Sequence, residues 1–433
     1  MKLDHLGLGT GSAQQIYFIS GNAKTIKKDR IPPMKTAITE KSDLYLFAGT
    51  ALFNLGFRPF FLGAAIYAII AMFIWWLQYS GFVQAGHLTP AWHAHEMLFG
   101  YTFAVIAGFL LTSVRNWTGI DTVSGGRLCI LFSLWAMARL GNIFGSYEFA
   151  ALLDLVCMAM CAWYIVTPII QVKQRRQIAV VGIVCVLLVA NGLYYSGQLG
   201  LVGNGIFLGN YLGLYLVLGL VLMMSGRVVP FFTERGVAET VELPTYLWLE
   251  AINFITYAVF VLAILVGPEV GLAGEVVHGL AGCLFILNLL RLGSWYTKGI
   301  WRKPLLWSLF FSYGFITLGF GLYALVYFGW FSIFLPIHAL VVGGVSLLTL
   351  SMIARVSLGH TGRSIHEPSR WVVSAFGILA IAAITRVILP ILLPQYYFVL
   401  VQVSQVLWMI SYALFLVVYV PVLVMPRVDS QPG

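Results

Sequence analysis

Apolar runs of about 20 residues recur from Phe60 to Pro426 with only short polar breaks between them, which leaves a lipid bilayer as the one solvent this chain can fold in. Each run is long enough to cross about 30 Å of hydrocarbon as a helix, with every backbone N–H and C=O satisfied inside its own segment. A β-barrel would instead show alternating segments of about 10 residues. Hydrophobic residues make up 60% of the chain and charged residues 9%, against about a quarter charged in soluble domains. The expected fold is all-α: a polytopic integral membrane helix bundle of about twelve transmembrane helices.

Length and polar punctuation place the spans at roughly 57–79, 91–114, 127–145, 149–169, 178–197, 204–226, 245–266, 270–295, 305–328, 333–355, 371–393 and 396–425. They form one membrane domain, 44–428. It is preceded by a basic arm, 1–43, which has no apolar signal-peptide core and reads as a flexible cytoplasmic segment, and is followed by a short tail, 429–433. The net charge of +9 would suggest nucleic acid in a soluble protein. Here Lys and Arg gather in alternate loops, 115–127, 173–176, 227–235, 298–303 and 355–370, each after an even-numbered span. That asymmetry sets membrane orientation, with both termini expected in the cytoplasm and no nucleic acid expected as partner.

The five cysteines all lie inside apolar runs without zinc or redox spacing, and read as packing residues. No phosphate-binding loop, nucleophile elbow or zinc-protease helix occurs, so neither ATP-driven nor hydrolytic chemistry is indicated.

The polar groups inside the spans carry the functional signal, because an ionisable side chain at membrane depth costs a few kcal/mol and faces a bundle interior or a site. His93, His95, His278 and His338 all stand early in even-numbered spans, so they are expected to share the outer leaflet. Imidazole is the commonest metal and proximal haem ligand, and facing helices of a bundle are where such groups are held. His93 and His95, two residues apart, point about 200° from each other on a regular helix and serve different faces. His93 is expected to share its face with Glu96, Met97 and Gly100. Of the other intramembrane charges, Asp154 is a partner for Arg139, and Arg58 is expected to snorkel to the surface. At the opposite end of the even spans, Arg227 and Arg355 each open a breaker-containing segment with a second Arg. Donor-rich anion sites and ordinary positive-inside anchoring both account for them.

The spacing also echoes. His95 precedes Gly100 by five residues and Thr118-Gly119 by 23 and 24, and His338 precedes Gly343 and Thr361-Gly362 by the same intervals. Asn210 stands 17 residues before Arg227, as His338 does before Arg355. An ancient threefold repeat and chance among repetitive apolar sequence both produce such spacing.

Five motifs in order resemble the NnrS family across the whole membrane region. They are Leu55-Gly56-Phe57-Arg58-Pro59-Phe60-Phe61; Trp92-His93-Ala94-His95-Glu96-Met97; Gly108-Phe109-Leu110-Leu111-Thr112 through Asn116-Trp117-Thr118-Gly119; Arg227-Val228-Val229-Pro230-Phe231-Phe232-Thr233; and Arg355-Val356-Ser357-Leu358-Gly359-His360-Thr361-Gly362-Arg363. The resemblance implies a bacterial inner-membrane protein of twelve helices containing haem and copper, associated with denitrification and with defence against nitric oxide. It makes His93, His95, His338 and His360 candidate haem ligands, to which depth and orientation add His278. His93, His95, Met97 and His338 are the candidate metal ligands, since copper suits imidazole and thioether, and Glu96 stands beside them. Nitric oxide or nitrosyl iron is the expected small-molecule ligand, and the chain is expected to be a redox protein acting on it. The alternative is a secondary transporter for a metal or anionic substrate, for which twelve spans and a repeat are common. A terminal oxidase is disfavoured, because there is no adjacent His-His pair and there are too few intramembrane histidines for two haems and copper.

Overall fold

The structure, a computed structural model, describes residues 50–266 and 274–429; the expected arm 1–43, the loop 267–269 and most of the tail lie outside the described residues. Long helices follow in chain order, with no strand among the described residues. They are α1 (Phe57–Tyr79), α2 (Pro90–Thr118), α3 (Gly125–Ile143), α4 (Tyr147–Gln171), α5 (Arg175–Gln198), α6 (Gly205–Gly236), α7 (Leu247–Val266), α8 (Gly274–Ser294), α9 (Pro304–Phe328), α10 (Phe334–His360), α11 (Arg370–Leu392) and α12 (Pro394–Val424). Eleven are long and apolar enough to cross a membrane. The other, α3, is diluted by Arg127, Arg139 and Asn142, yet it packs along α4 with Arg139 and Asn142 buried. The chain is a multi-pass membrane protein.

Sequential helices pair as antiparallel neighbours, and α12 returns to lie against α1. The two most enclosed helices are α2 and α10, with 83% and 78% of their apolar windows buried, whereas α8 has 22%. The outward faces are apolar: Leu247, Ile255 and Leu262 project from α7 and Val417 from α12, as lipid-facing side chains do.

Local sequence explains the key starts and contacts. Thr89 caps α2, its hydroxyl accepting from the Trp92 N–H at 3.2 Å, and Pro90 occupies the first helical position. Arg58 does not snorkel. It is fully buried and donates to the carbonyls of Leu423 at 2.9 Å and Met425 at 2.8 Å, because the last carbonyls of α12 lack helical partners and α1 packs beside them.

Both enclosed helices contain a π-helical segment, Glu96–Thr102 in α2 and Ala339–Ser346 in α10, each beginning at the residue after a histidine. Within them, Thr102 donates to the Met97 carbonyl at 2.7 Å and Ser346 to the Val341 carbonyl at 2.8 Å, both five residues back. Gly100 sits under Tyr67 of α1, where a Cβ would come within 2.6 Å of the ring, and Gly343 is covered more closely still by Phe315 of α9. The sequence echo therefore has a structural counterpart between α2 and α10. In α6 the helix runs on as α throughout, and the third copy has no such segment.

Helices α5 and α6 approach through small residues. A Cβ on Gly209 would stand 2.5 Å from the Tyr194 nitrogen and 2.7 Å from the Ala190 oxygen, and neither backbone atom can move aside. Gly209→Leu is therefore expected to destabilise the protein by about 1–3 kcal/mol or more through overpacking, seen as a lower melting temperature in detergent. An unchanged melting temperature would show that the pair does not need this contact.

Candidate functional site

The two histidines of Trp92-His93-Ala94-His95 enter different environments. His95 is fully buried in a polar network joining α1 to α5. Its Nδ1 lies 2.7 Å from Glu96 Oε1 and its Nε2 2.8 Å from Asn191 Oδ1. Asn191 donates through Nδ2 to Asp154 at 3.0 Å, which fixes Oδ1 as the atom facing His95. Each ring nitrogen of His95 thus faces an acceptor and both are engaged by protein. Tyr194 stacks on the ring with centroids 3.8 Å apart and seals it further.

Arg139 of α3 holds this network together. It pairs with Glu96 at 3.0 Å and with Asp154 of α4, as the sequence anticipated for Asp154. Tyr67 of α1 donates to Glu96, Tyr195 donates to Asp154 at 3.0 Å, and Asn142 donates to Tyr195 at 2.8 Å. Glu96 consequently stands with His95 and Arg139 rather than with His93, a correction to the expected face. The physical reason is that two carboxylates and the guanidinium are all buried here, and a buried charge without its partner is far costlier than a changed side-chain direction.

His93 faces the other way. It stacks on Trp75 of α1, with centroids 4.9 Å apart and planes at 12°, and its buried Nδ1 has no hydrogen-bond partner. Near it, His338 of α10 lies within electrostatic reach. His338 donates from Nδ1 to the Phe334 carbonyl at 2.6 Å, which leaves Nε2 as the nitrogen carrying a lone pair. This bond to a backbone carbonyl fixes the tautomer and the orientation of the ring. Arg386 of α11 brings Nη2 within 3.3 Å of the His338 ring nitrogens. It is 8% exposed, its buried Nη1 has no partner, and no carboxylate pairs with it among the described residues.

The remaining candidates lie apart from this pair. His278 of α8 is half-buried, with Nδ1 2.9 Å from the Tyr323 carbonyl. His360 ends α10 against the Phe57 ring at 5.5 Å. It is 22 residues from His338, about 33 Å along a helix, so one metal cannot take both. Met97 is half-buried against the apolar core. Arg227 donates to Gln177 at 3.3 Å, and Arg355 lies over the Phe232 ring at 3.7 Å. Among the described residues no three His, Cys, Asp or Glu side chains gather closely enough to hold a metal ion between them.

Sequence reasoning missed Trp75, Asn191 and the part played by Arg386. The signal available for Asn191 was a carboxamide in the middle of an apolar run, and for Arg386 a cation with no acid nearby in sequence.

The family model described as NnrS protein matches residues 51–427. No curated protein matches the chain.

Removal of Arg139 is expected to leave Glu96 and Asp154 as uncompensated buried charges. Arg139→Met should destabilise by about 3–5 kcal/mol, and the double replacement Arg139→Met with Asp154→Leu should recover part of that loss. Equal melting temperatures for Arg139→Met and the wild-type protein would show that the network contributes little.

Proposed function

The chain belongs to the NnrS family, and we propose that it is a haem- and copper-binding membrane protein of the nitric oxide response, linked to denitrification and resistance to nitrosative stress. Family membership supports a nitric-oxide-associated function in general. The finer reading rests on one observation: a buried histidine nitrogen without a partner, at His93, stands near a second histidine, His338, whose tautomer puts the lone pair on Nε2, met by Arg386 Nη2 at 3.3 Å.

The donor set suits haem better than a metal held by side chains alone. Haem brings four nitrogens of its own and asks the protein for one or two axial ligands, whereas side-chain copper sites draw on three or more. Two imidazoles from facing helices meet the first requirement. Arg386 supplies a buried cation without an acid, which a carboxylate of the bound group would satisfy. Trp75, stacked on His93, provides a flat apolar wall that keeps water from the ring. What bound haem supplies is iron able to take nitric oxide as a ligand. Copper favours imidazole and thioether, the side chains of His93 and Met97; it would compete with haem for His93 and would need at least one further donor. His95 serves as a positioning residue, since its engaged nitrogens tie α2 to α4 and α5. By the distribution of basic loops, both termini lie in the cytoplasm and this group lies in the outer leaflet of the inner membrane.

The rival reading, a secondary transporter for a metal or anionic substrate, is favoured by the matching π segments, since broken helices in corresponding positions often mark a transport site. Colour separates the two. Detergent-purified protein is expected to show a Soret band that shifts when nitric oxide is added to the reduced form. His93→Ala or His338→Ala should remove most of that band, while His278→Ala and His360→Ala keep it. A colourless, metal-free preparation that haem does not alter would move the assignment to transport.

A further inference from the structure

At the basic end of the bundle the structure carries a second site, independent of the histidine pair. Arg355 of α10 is 8% exposed and, among the described residues, makes no hydrogen bond or ion pair; its guanidinium carbon lies 3.7 Å from the centroid of the Phe232 ring. A guanidinium flat on an aromatic face keeps the edge N–H groups available. Arg355 lines a small, solvent-open cleft of about 20 Å3, together with Lys303, His366 and the first residues of α9. No Asp or Glu is among the lining residues. The α9 helix, 25 residues from Pro304 to Phe328, begins at this cleft, and its N-cap residue Lys303 makes no side-chain cap. Pro304 has no N–H, and the Leu306 and Trp307 N–H groups bond back to the Lys303 carbonyl, so the helix dipole adds positive potential here while only the Leu305 N–H is left over from the first turn.

A buried arginine with no acid among the lining residues, a half-buried lysine, a histidine and the positive end of a helix dipole share one chemical complement. We infer that this cleft binds a phosphate group, carried by a free phosphate anion or by the headgroup of an anionic lipid. Arg355 recognises it by a fork of N–H donors, Lys303 adds a point charge, and the positive end of the α9 dipole adds to the local potential. The cleft lies where α6, α9 and α10 all reach the same end of the bundle, the level at which basic pockets between membrane helices take headgroups.

The test uses full-length protein in detergent, stripped of lipid, with melting followed by tryptophan fluorescence. One arm titrates sodium phosphate against sodium chloride at equal ionic strength. The other compares nanodiscs of phosphatidylcholine alone with nanodiscs that also contain phosphatidylglycerol. Stabilisation by phosphate identifies a free anion as sufficient, and stabilisation by phosphatidylglycerol alone identifies the headgroup; in either case the shift should vanish in Arg355→Gln, shrink in Lys303→Gln and persist in Lys298→Gln, which lies outside the cleft. Should Arg355→Gln fail to fold, Lys303→Gln decides, because its side chain is only half-buried at the rim. The inference is overturned if neither probe raises the melting temperature of the wild-type protein, or if the cleft variants respond as the wild type does.

Discussion

The ion pairing of Arg139 with Glu96 and Asp154 is the interaction on which the arrangement around the histidines depends. In hydrocarbon a charge must find its partner inside the protein, so the positions of these three groups limit how α2, α3 and α4 can rotate about their axes. Asn191 and Tyr195 extend the same constraint to α5, and Tyr67 extends it to α1. With Glu96 and His95 drawn toward that network, His93, two residues earlier, is turned about 200° away, toward α1, α10 and α11. The buried charges thus determine which surface of α2 is left to face α1, α10 and α11.

That division explains why adjacent motif histidines have different prospects. Both nitrogens of His95 are engaged by acceptors under a stacked tyrosine, an environment that holds a ring still. His93 has a buried nitrogen with no partner, a condition that proteins seldom tolerate without a bound group or an ordered water to satisfy it. Position in the sequence could not separate them, since both read as imidazoles at the start of a long apolar helix.

Much of the architecture was legible before any coordinates. Apolar run length gave the helices, because in lipid the backbone has no alternative to intrahelical bonding, and the pairing of Asp154 with Arg139 followed from the cost of leaving either alone. Arg58 was misread: a cation near a helix start has water within reach by snorkelling, and nothing in sequence said that the open end of α12 would be nearer. Glu96 was placed by helical phase, which does not include the pull of a guanidinium on another helix. The π segments left no periodic trace, since one widened turn in a uniformly apolar helix changes no pattern of polar and apolar residues. Arg386 has no acid near it in sequence, and its company is the Tyr397 ring and a histidine 48 residues earlier, the latter a pairing that only the packing of α10 against α11 creates.

The echo between α2 and α10 turns these observations into a comparison within one molecule. In each, a histidine is followed at once by a π segment, and in each an arginine from the next helix, Arg139 or Arg386, reaches the same level. The residue after His95 is Glu96, which neutralises its arginine, whereas the residue after His338 is Ala339, which cannot. One half of the bundle is therefore closed on itself by an acid that the other half lacks. A buried guanidinium beside an imidazole, without the carboxylate that its counterpart enjoys, is costly unless something anionic arrives from outside the chain. The same comparison that makes the α2 network a scaffold makes the α10 end the place where an added group has the most to satisfy, and it explains why the proposed ligand pair combines a histidine from each half rather than the two neighbours in the motif.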